Sequence, residues 1–287
     1  MLGHMVLNYL NKFKFDVYST VRSQNLAKNE FQFDALESHN KLENIILDFK
    51  PDYIINCIGI LVSNSINNPS LAIFVNSFFP HYVANLSNKY NFKFIHVSTD
   101  CVFNGKNGPY EISSYKDESN YYGLSKNLGE VITYKNSLTI RTSIIGPEVS
   151  NIKTGLFDWV MNQTNETKGY SNVVWSGLTT LELSKFIKWT IENDVNSEKL
   201  IHATNGLGIS KFDLIGIINA EHRLNLTINK DNTKTSNKQL LKHKDLGYVF
   251  PDYFKMIKEQ REWMINNKFI YNINYPNLKY HLDEGLK

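Results

Sequence analysis

Residues 93–105 read KFIHVSTDCVFNG, and residues 121–130 read YYGLSKNLGE. The first stretch is an apolar run, Phe94-Ile95-His96-Val97-Ser98, that ends in the polar side chains of Thr99 and Asp100. A continuous run of this kind reads as a strand buried on both faces, as strands of parallel sheets are, and a hydroxyl at the carboxyl edge of such a sheet faces the ligand crevice. In the second stretch Tyr122, Leu124, Leu128 and Val131 recur at helical spacing. Tyr122 and Lys126, four apart, then emerge on one helix face. That spacing has a chemical use. A ketone accepting hydride needs a proton on its oxygen, a phenol with a pKa of about 10 is poorly matched to neutral pH, and a neighbouring ammonium favours the phenolate. Thr99 is placed to hydrogen-bond the same oxygen, so Thr99, Tyr122 and Lys126 are the expected catalytic residues.

The pattern continues on either side. Strands are expected at 16–21, 53–58, 93–98 and 138–142, and helices at 2–13, 42–49, 70–90 and 121–134. Such βα alternation predicts an α/β fold, a Rossmann-like doubly wound parallel sheet covered by helices on both faces. Pro80 is expected to kink the third helix, and His81 beside it reads as a buried, satisfied side chain.

Ser98-Thr99-Asp100-Cys101-Val102-Phe103-Asn104-Gly105, followed by Tyr122-Gly123-Leu124-Ser125-Lys126, resembles the extended short-chain dehydrogenase/reductase family. Within it the likeness is to the dTDP-4-dehydrorhamnose reductase-like branch. The resemblance covers nearly the whole chain and is strongest over residues 56–146. It implies NADPH-dependent reduction of the 4-keto group of a nucleotide-activated deoxysugar for surface polysaccharide biosynthesis. Tyr122 would be the acid, Lys126 would lower its pKa and hold the cofactor ribose, and Thr99 would orient the carbonyl. It further implies an NADP-binding domain over 1–146, incomplete at its start, and a smaller substrate-binding region over 147–287, with 176–205 returning to the Rossmann core.

The expected cofactor residues follow the same likeness. Gly3 corresponds to the last glycine of a G-x-x-G-x-x-G loop, whose earlier glycines and preceding strand are absent from this sequence. Met1 is therefore expected to be an internal methionine of a longer product, or the chain a fragment, because losing a central strand would expose two interior sheet edges. Arg22, after the second strand, suits the 2′-phosphate of NADPH better than the ribose diol of NADH, which stays open as the alternative. Asp34 falls at the adenine. Asn56, Cys57 and Gly59 form the turn beneath the ribose and pyrophosphate, Asn76 packs beside the active site, and Ser98, Tyr122 and Lys126 complete the set. Asp100, Cys101, Phe103 and Trp175 are the expected substrate contacts. Cys101 replaces the Tyr common in dTDP-4-dehydrorhamnose reductases, which opens the substrate to UDP-linked N-acetylamino sugars.

Elsewhere Thr179-x-x-Glu182 reads as a capping box for a helix over 181–192, and Ser210-x-x-Asp213 as the start of a helix over 211–218. The polar, basic stretch 232–238 is read either as a surface loop or as a face toward the substrate diphosphate. Residues 251–263 are helical in pattern, and 271–287 lack periodicity.

Composition narrows the class. The chain has 287 residues, 42% hydrophobic, enough for a large core, and a formal charge of +3 too evenly spread to suggest nucleic acid. Its two cysteines, Cys57 and Cys101, sit in or beside expected strands and read as reduced thiols of a cytoplasmic protein. No apolar run reaches the roughly 18 residues of a membrane span. No metal site is expected; the partners are a nucleotide-sugar substrate and, as an allowed assembly, a second copy in a homodimer. Two other classes stay in view. A same-fold epimerase or dehydratase would keep NAD bound; Arg22 and the lack of acidic residues directly after Thr99-Asp100 count against it. A catalytically silent sugar-nucleotide-binding protein is suggested by the missing glycines.

Overall fold

The computed structural model describes residues 1–276 apart from 23, 25, 37, 38, 151, 152, 196 and 197; the last eleven residues of the aperiodic stretch, 277–287, lie outside the described residues. The first half runs α1 (Leu2–Leu10), β1 (Ser19–Val21), β2 (Glu30–Gln32), α2 (His39–Phe49), β3 (Tyr53–Asn56), α3 (Val62–Asn67), α4 (Pro69–Ile73), a π-helical turn (Phe74–Phe78), α5 (Phe79–Tyr90) and β4 (Lys93–Thr99). A 3-10 turn (Asp100–Val102), α6 (Tyr121–Leu128), β5 (Ser137–Thr142) and β6 (Ile144–Ile145) follow. The second half contains α7 (Leu156–Met161), β7 (Glu166–Trp175), β8 (Leu178–Thr179), α8 (Thr180–Glu192), β9 (Leu200–His202) and β10 (Ile209–Ser210). It ends with α9 (Lys211–His222), β11 (Thr227–Asn237), α10 (Tyr253–Asn266) and α11 (Lys268–Tyr271).

The central sheet is parallel and Rossmann-like, in the order β3-β4-β5-β9. Side chains alternate across it because successive residues of a strand point to opposite faces. Ile55, Ile95, Leu138 and Ile140 join the core under α1, α8 and α10, whereas Ile54 and Phe94 join a second core under α2 and α5. The sheet is thus covered on both sides, as the unbroken apolar strands predict. β1 and β2 pair with each other in a separate parallel ribbon, and among the described residues no strand bridges β1 to β3. The interruption lies where the sequence lacks the first strand of the expected pattern.

Three boundaries shift for local reasons. The expected helix over 70–90 is interrupted by the π-helical turn at Phe74–Phe78, because Pro80 has no N–H to give to the carbonyl of Asn76. Gly129 then approaches that carbonyl so closely that a Cβ at Gly129 would lie 1.9 Å from Asn76 O. The same contact ends α6 at Leu128, earlier than the expected 134. The polar stretch 232–238 is not a loop over most of its length. β11 pairs in parallel with β7, and β10 completes that three-stranded sheet on β7's other edge.

Both capping signals act as caps. Thr179 Oγ1 accepts from Glu182 N at 3.1 Å and Ser210 Oγ from Asp213 N at 3.0 Å, and the helices run Thr180–Glu192 and Lys211–His222. No helix among the described residues is long and apolar enough to cross a membrane.

Candidate active site

The carboxyl end of β4 passes directly into the 3-10 turn, and the turn is held by its own first residue: Thr99 Oγ1 accepts from Cys101 N and donates to Asp100 Oδ1, both at 3.1 Å. The start of α6 is pressed onto this turn. Asn120 caps the helix by accepting from Gly123 N at 2.9 Å, and a Cβ at Gly123 would lie 2.4 Å from Cys101 O. Only glycine permits that approach, and it brings Tyr122, the preceding residue, toward the Thr99 hydroxyl, which opposes the rise of the phenol. One turn further along α6, Lys126 Nζ donates to the carbonyl of Val97 at 2.8 Å, so α6 is tied to the strand that carries Thr99.

The electrostatics differ from expectation at one point. The Tyr122 phenol is raised, first by burial, with Cys101 and Asp100 adding to the effect and the Thr99 hydroxyl opposing it. Lys126 is not among the groups acting on it, because its ammonium is turned to Val97 O. The expected lowering of the phenol by Lys126 is thus not what the structure shows. Burial lowers Lys126 itself to about 8, against the opposing charge of Glu130. Both thiols are raised to about 12 by burial and stay neutral, and neither is in a disulfide.

Several expected ligand contacts are occupied within the protein. Ser98, 4% exposed, donates from Oγ to Glu130 Oε1 at 2.9 Å. Glu130 is the hub of a buried network. It receives Arg141 Nε at 2.9 Å and Nη2 at 2.8 Å, and Lys116 Nζ at 3.0 Å; Arg141 Nη1 in turn donates to His202 Nε2 at 2.8 Å. Burial alone would raise Glu130, but the hydrogen bonds and charges of Arg141 and Lys116 hold it below the ordinary carboxylate range. Ser98, Arg141 and His202 are register partners across β4, β5 and β9, so the network is a row of cross-strand neighbours. Phe103, expected at the substrate, is fully buried instead, stacked on Tyr110 with ring centres 4.1 Å apart and beneath the Arg141 guanidinium. Trp175 is also enclosed, its indole N–H donated to Ser143 Oγ at 2.8 Å.

Asn76 spends its side-chain amide on the backbone of residue 60, accepting from Ile60 N at 2.8 Å and donating to Ile60 O at 3.0 Å, and also reaches Ser125 Oγ at 3.1 Å. It therefore joins the loop after β3 to α6 and has no free group for a cofactor. Asn56 Oδ1 accepts from Ile58 N, which leaves Asn56 Nδ2 to donate to His96 Nδ1 at 3.1 Å. Asn56 shapes the turn of residues 56–59 through its side chain. His81 is satisfied by Tyr134 and Leu128, as expected of a structural histidine.

The positions left for a dinucleotide lie along the carboxyl edge of the parallel strands. α1 begins without a side-chain cap, so its first-turn N–H groups are available to an anion, and a Cβ added at Gly3 would stand only 3.7 Å from Cys57 Cβ, which sets the helix against the turn after β3. Gly59 has room for ordinary contact only, 3.5 Å from Asn76 Oδ1. Arg22 is exposed at the end of β1, and Asp34 closes a short turn by accepting from Leu36 N at 3.0 Å. A buried carboxylate, Glu148, stands near the start of α1 and is held by Thr154 N and Gly155 N. The uncapped start of α1 and the exposed Arg22 are the groups along this edge that an anion can reach.

Two lysines act electrostatically on the turn after β4. Lys211, the first residue of α9, places its ammonium 5.5 Å over the Trp175 ring and within electrostatic influence of Asp100 and Cys101. Lys238, just after β11, acts on the same two residues while bonding Glu118 at 3.3 Å. Ser210-x-x-Asp213 marks the helix start and says nothing of the lysine beside it; the signal was the juxtaposition with Asp100, which only the fold creates.

The profile of the RmlD substrate binding domain family matches residues 1–236. Among curated proteins, the spore coat polysaccharide biosynthesis protein SpsK of Bacillus subtilis (strain 168) is 35% identical over 100 residues, covering 33% of this chain and 35% of that protein. Methionine adenosyltransferase 2 subunit beta of Bos taurus is 28% identical over 142 residues, covering 47% of this chain and 42% of that protein. The chain thus aligns with less than half the length of either. Among solved structures, dTDP-4-dehydrorhamnose reductase from Bacillus anthracis str. Ames in complex with NADP superposes with a TM-score of 0.75 at 20% identity, covering 90% of this chain and 94% of that one. The fold is that of NAD(P)-dependent reductases and dehydrogenases.

Proposed function

The chain belongs to the RmlD substrate binding domain family, and from that premise we propose that it uses NADPH to reduce the 4-keto group of a nucleotide-linked deoxysugar. The observation that carries this reading is the juxtaposition of Thr99 and Tyr122 at the carboxyl edge of the parallel sheet, with Lys126 bonded to the strand behind it. NADPH, when bound, supplies the hydride. Tyr122, kept protonated at neutral pH by burial, gives its proton to the carbonyl oxygen, while Thr99 donates to the same oxygen once its hydroxyl turns from Asp100 Oδ1, which receives it in the ligand-free protein. Lys126, lowered to about 8, keeps most of its charge at pH 7 and is suited to hold the ribose hydroxyls. Asn76 and the Gly123 contact position α6 and leave the chemistry to Tyr122. Arg22 is the residue that would prefer NADPH to NADH.

SpsK, by its name a polysaccharide biosynthesis protein, supports a place for the product in a surface polysaccharide. Cys101 keeps UDP-linked N-acetylamino sugars beside dTDP-linked ones as substrates. A second reading, a silent nucleotide-binding subunit, is favoured by the likeness to methionine adenosyltransferase 2 subunit beta. NADPH consumption with dTDP- and UDP-linked 4-keto-6-deoxysugars tests the choice. Stoichiometric conversion of one of them supports the reductase; saturable NADPH binding with no turnover of either favours the subunit.

A further inference from the structure

Glu130 stands immediately past the Gly129 that ends α6, one turn beyond Lys126, and the two side chains engage consecutive residues of β4. Lys126 Nζ donates to Val97 O at 2.8 Å, and Ser98 Oγ donates to Glu130 Oε1 at 2.9 Å. A helix held to a strand at one point can pivot about it, whereas two points fix its crossing angle. The second point is itself anchored. Arg141 of β5, the register partner of Ser98, gives the same carboxylate its Nε at 2.9 Å and Nη2 at 2.8 Å, and Lys116, from the segment leading into α6, gives Nζ at 3.0 Å. A buried ion pair adds little stability over apolar side chains of the same volume, so stability alone does not account for a carboxylate at this position.

The consequence falls on Lys126. An ammonium carries three N–H donors; one goes to Val97 O, and among the described residues Lys126 makes no other hydrogen bond, which leaves two for a ligand. The groups that interact with its charge come from three places: Glu130 past α6, Cys57 in the turn after β3, and His96 on β4. Burial pushes the Cys57 thiol up to about 12 and His96 well below its ordinary value, so both are neutral at pH 7. Glu130, held below the ordinary carboxylate range by Arg141 and Lys116, is the ionised one.

We propose that Glu130 is a positioning residue of the cofactor site: by bridging Ser98 and Arg141 it fixes the end of α6 on β4, and its negative charge keeps the Lys126 ammonium in place for the ribose hydroxyls of NAD(P). The inference rests on the reading of Lys126 as the residue that holds the cofactor.

The test is a fluorescence titration of the full chain with NADPH between about pH 6.5 and pH 10, on wild type, Glu130→Gln and Glu130→Asp. Lys126 titrates at about 8, so wild-type affinity should be full below that pH and fall above it, as the ammonium loses its proton. Glu130→Gln removes a unit charge on the order of 7 Å away, at the spacing of residues one helical turn apart, and should move this midpoint lower by about one pH unit. Glu130→Asp keeps the charge and should hold the midpoint within about 0.3 of a unit. A carboxylate with a purely structural part would weaken NADPH by the same factor at every pH and leave the midpoint where it was. Should Glu130→Gln fail to fold, Glu130→Gln combined with Arg141→Met, which strands no charge, is read the same way. An unmoved midpoint in the folded glutamine variant, an equal movement in Glu130→Asp, or no NADPH binding by wild type overturns the inference. A midpoint that moves only with the charge, without turnover of dTDP- or UDP-linked 4-keto sugars, sustains it and refutes the reductase; an unmoved midpoint with turnover does the reverse.

Discussion

Glu130→Gln removes the charge at the centre of the buried network while preserving its shape. The Glu130 and Arg141 side chains are each 1% exposed and joined by two hydrogen bonds of 2.8 and 2.9 Å, so the substitution strands a guanidinium in the core. His202, its other neighbour, offers no compensation, since burial first and the Arg141 charge second hold it to about 3 and hence neutral. Breaking one side of a buried pair costs about 3–5 kcal/mol. The glutamine oxygen still accepts one bond, which places the expected loss near the lower end, about 3 kcal/mol, or a Tm lower by about 6–12 °C. Glu192→Gln, from the surface pair with Lys188, is the control and should cost less than about 1 kcal/mol. Urea unfolding at neutral pH reads both. Glu130→Gln combined with Arg141→Met should recover part of the loss, because the stranded charge is gone. A loss no larger than the control, or a double variant whose losses simply add, would refute the reasoning.

Gly129→Ala should cost about 1–3 kcal/mol of stability, read as a lower urea midpoint, and reduce turnover with it, since the added methyl meets Asn76 O at 1.9 Å and must displace α6; an unchanged midpoint would remove Gly129 from the account. His222 is 5% exposed, has no partner for either ring nitrogen among the described residues, and is lowered to about 3 by burial. Its unfolded pKa is about 6.5, so the unfolded chain binds the extra proton first, and the stability that is complete above 6.5 is lost as pH falls toward 3. His222→Leu should therefore flatten the fall in urea midpoint between about pH 7 and pH 5, and an equally steep fall would count against a neutral His222. Arg22→Ala should weaken NADPH more than NADH in fluorescence titrations, by about tenfold for one lost charge-assisted contact; equal effects on both would place the 2′-phosphate elsewhere.

What could be read from the sequence was what periodicity and short motifs encode. β3 and β4 are largely apolar runs, β5 alternates Leu138 and Ile140 with polar residues, and Thr179 and Ser210 declare their helices by capping. β2 escaped because three residues, Glu30–Gln32, carry too little pattern. β11 escaped because it is polar and mostly exposed, and its strand character comes from pairing with β7 rather than from burial. At the site, Thr99, Tyr122 and Lys126 were legible as residues, but not how each spends its hydrogen bonds. Ser98 turns to Glu130, Asn76 to residue 60 and Lys126 to Val97 O, all choices made by long-range packing. Phe103 and Trp175 look like ligand aromatics in sequence and prove to be core.

The central claim is that Tyr122 gives the proton that completes carbonyl reduction. The most direct measurement compares wild type with Tyr122→Phe for NADPH binding and for turnover of the nucleotide-linked 4-keto sugar in the same preparation. The account predicts unchanged NADPH affinity and a turnover lower by about 10²- to 10⁴-fold. Equal turnover in the two proteins would contradict it.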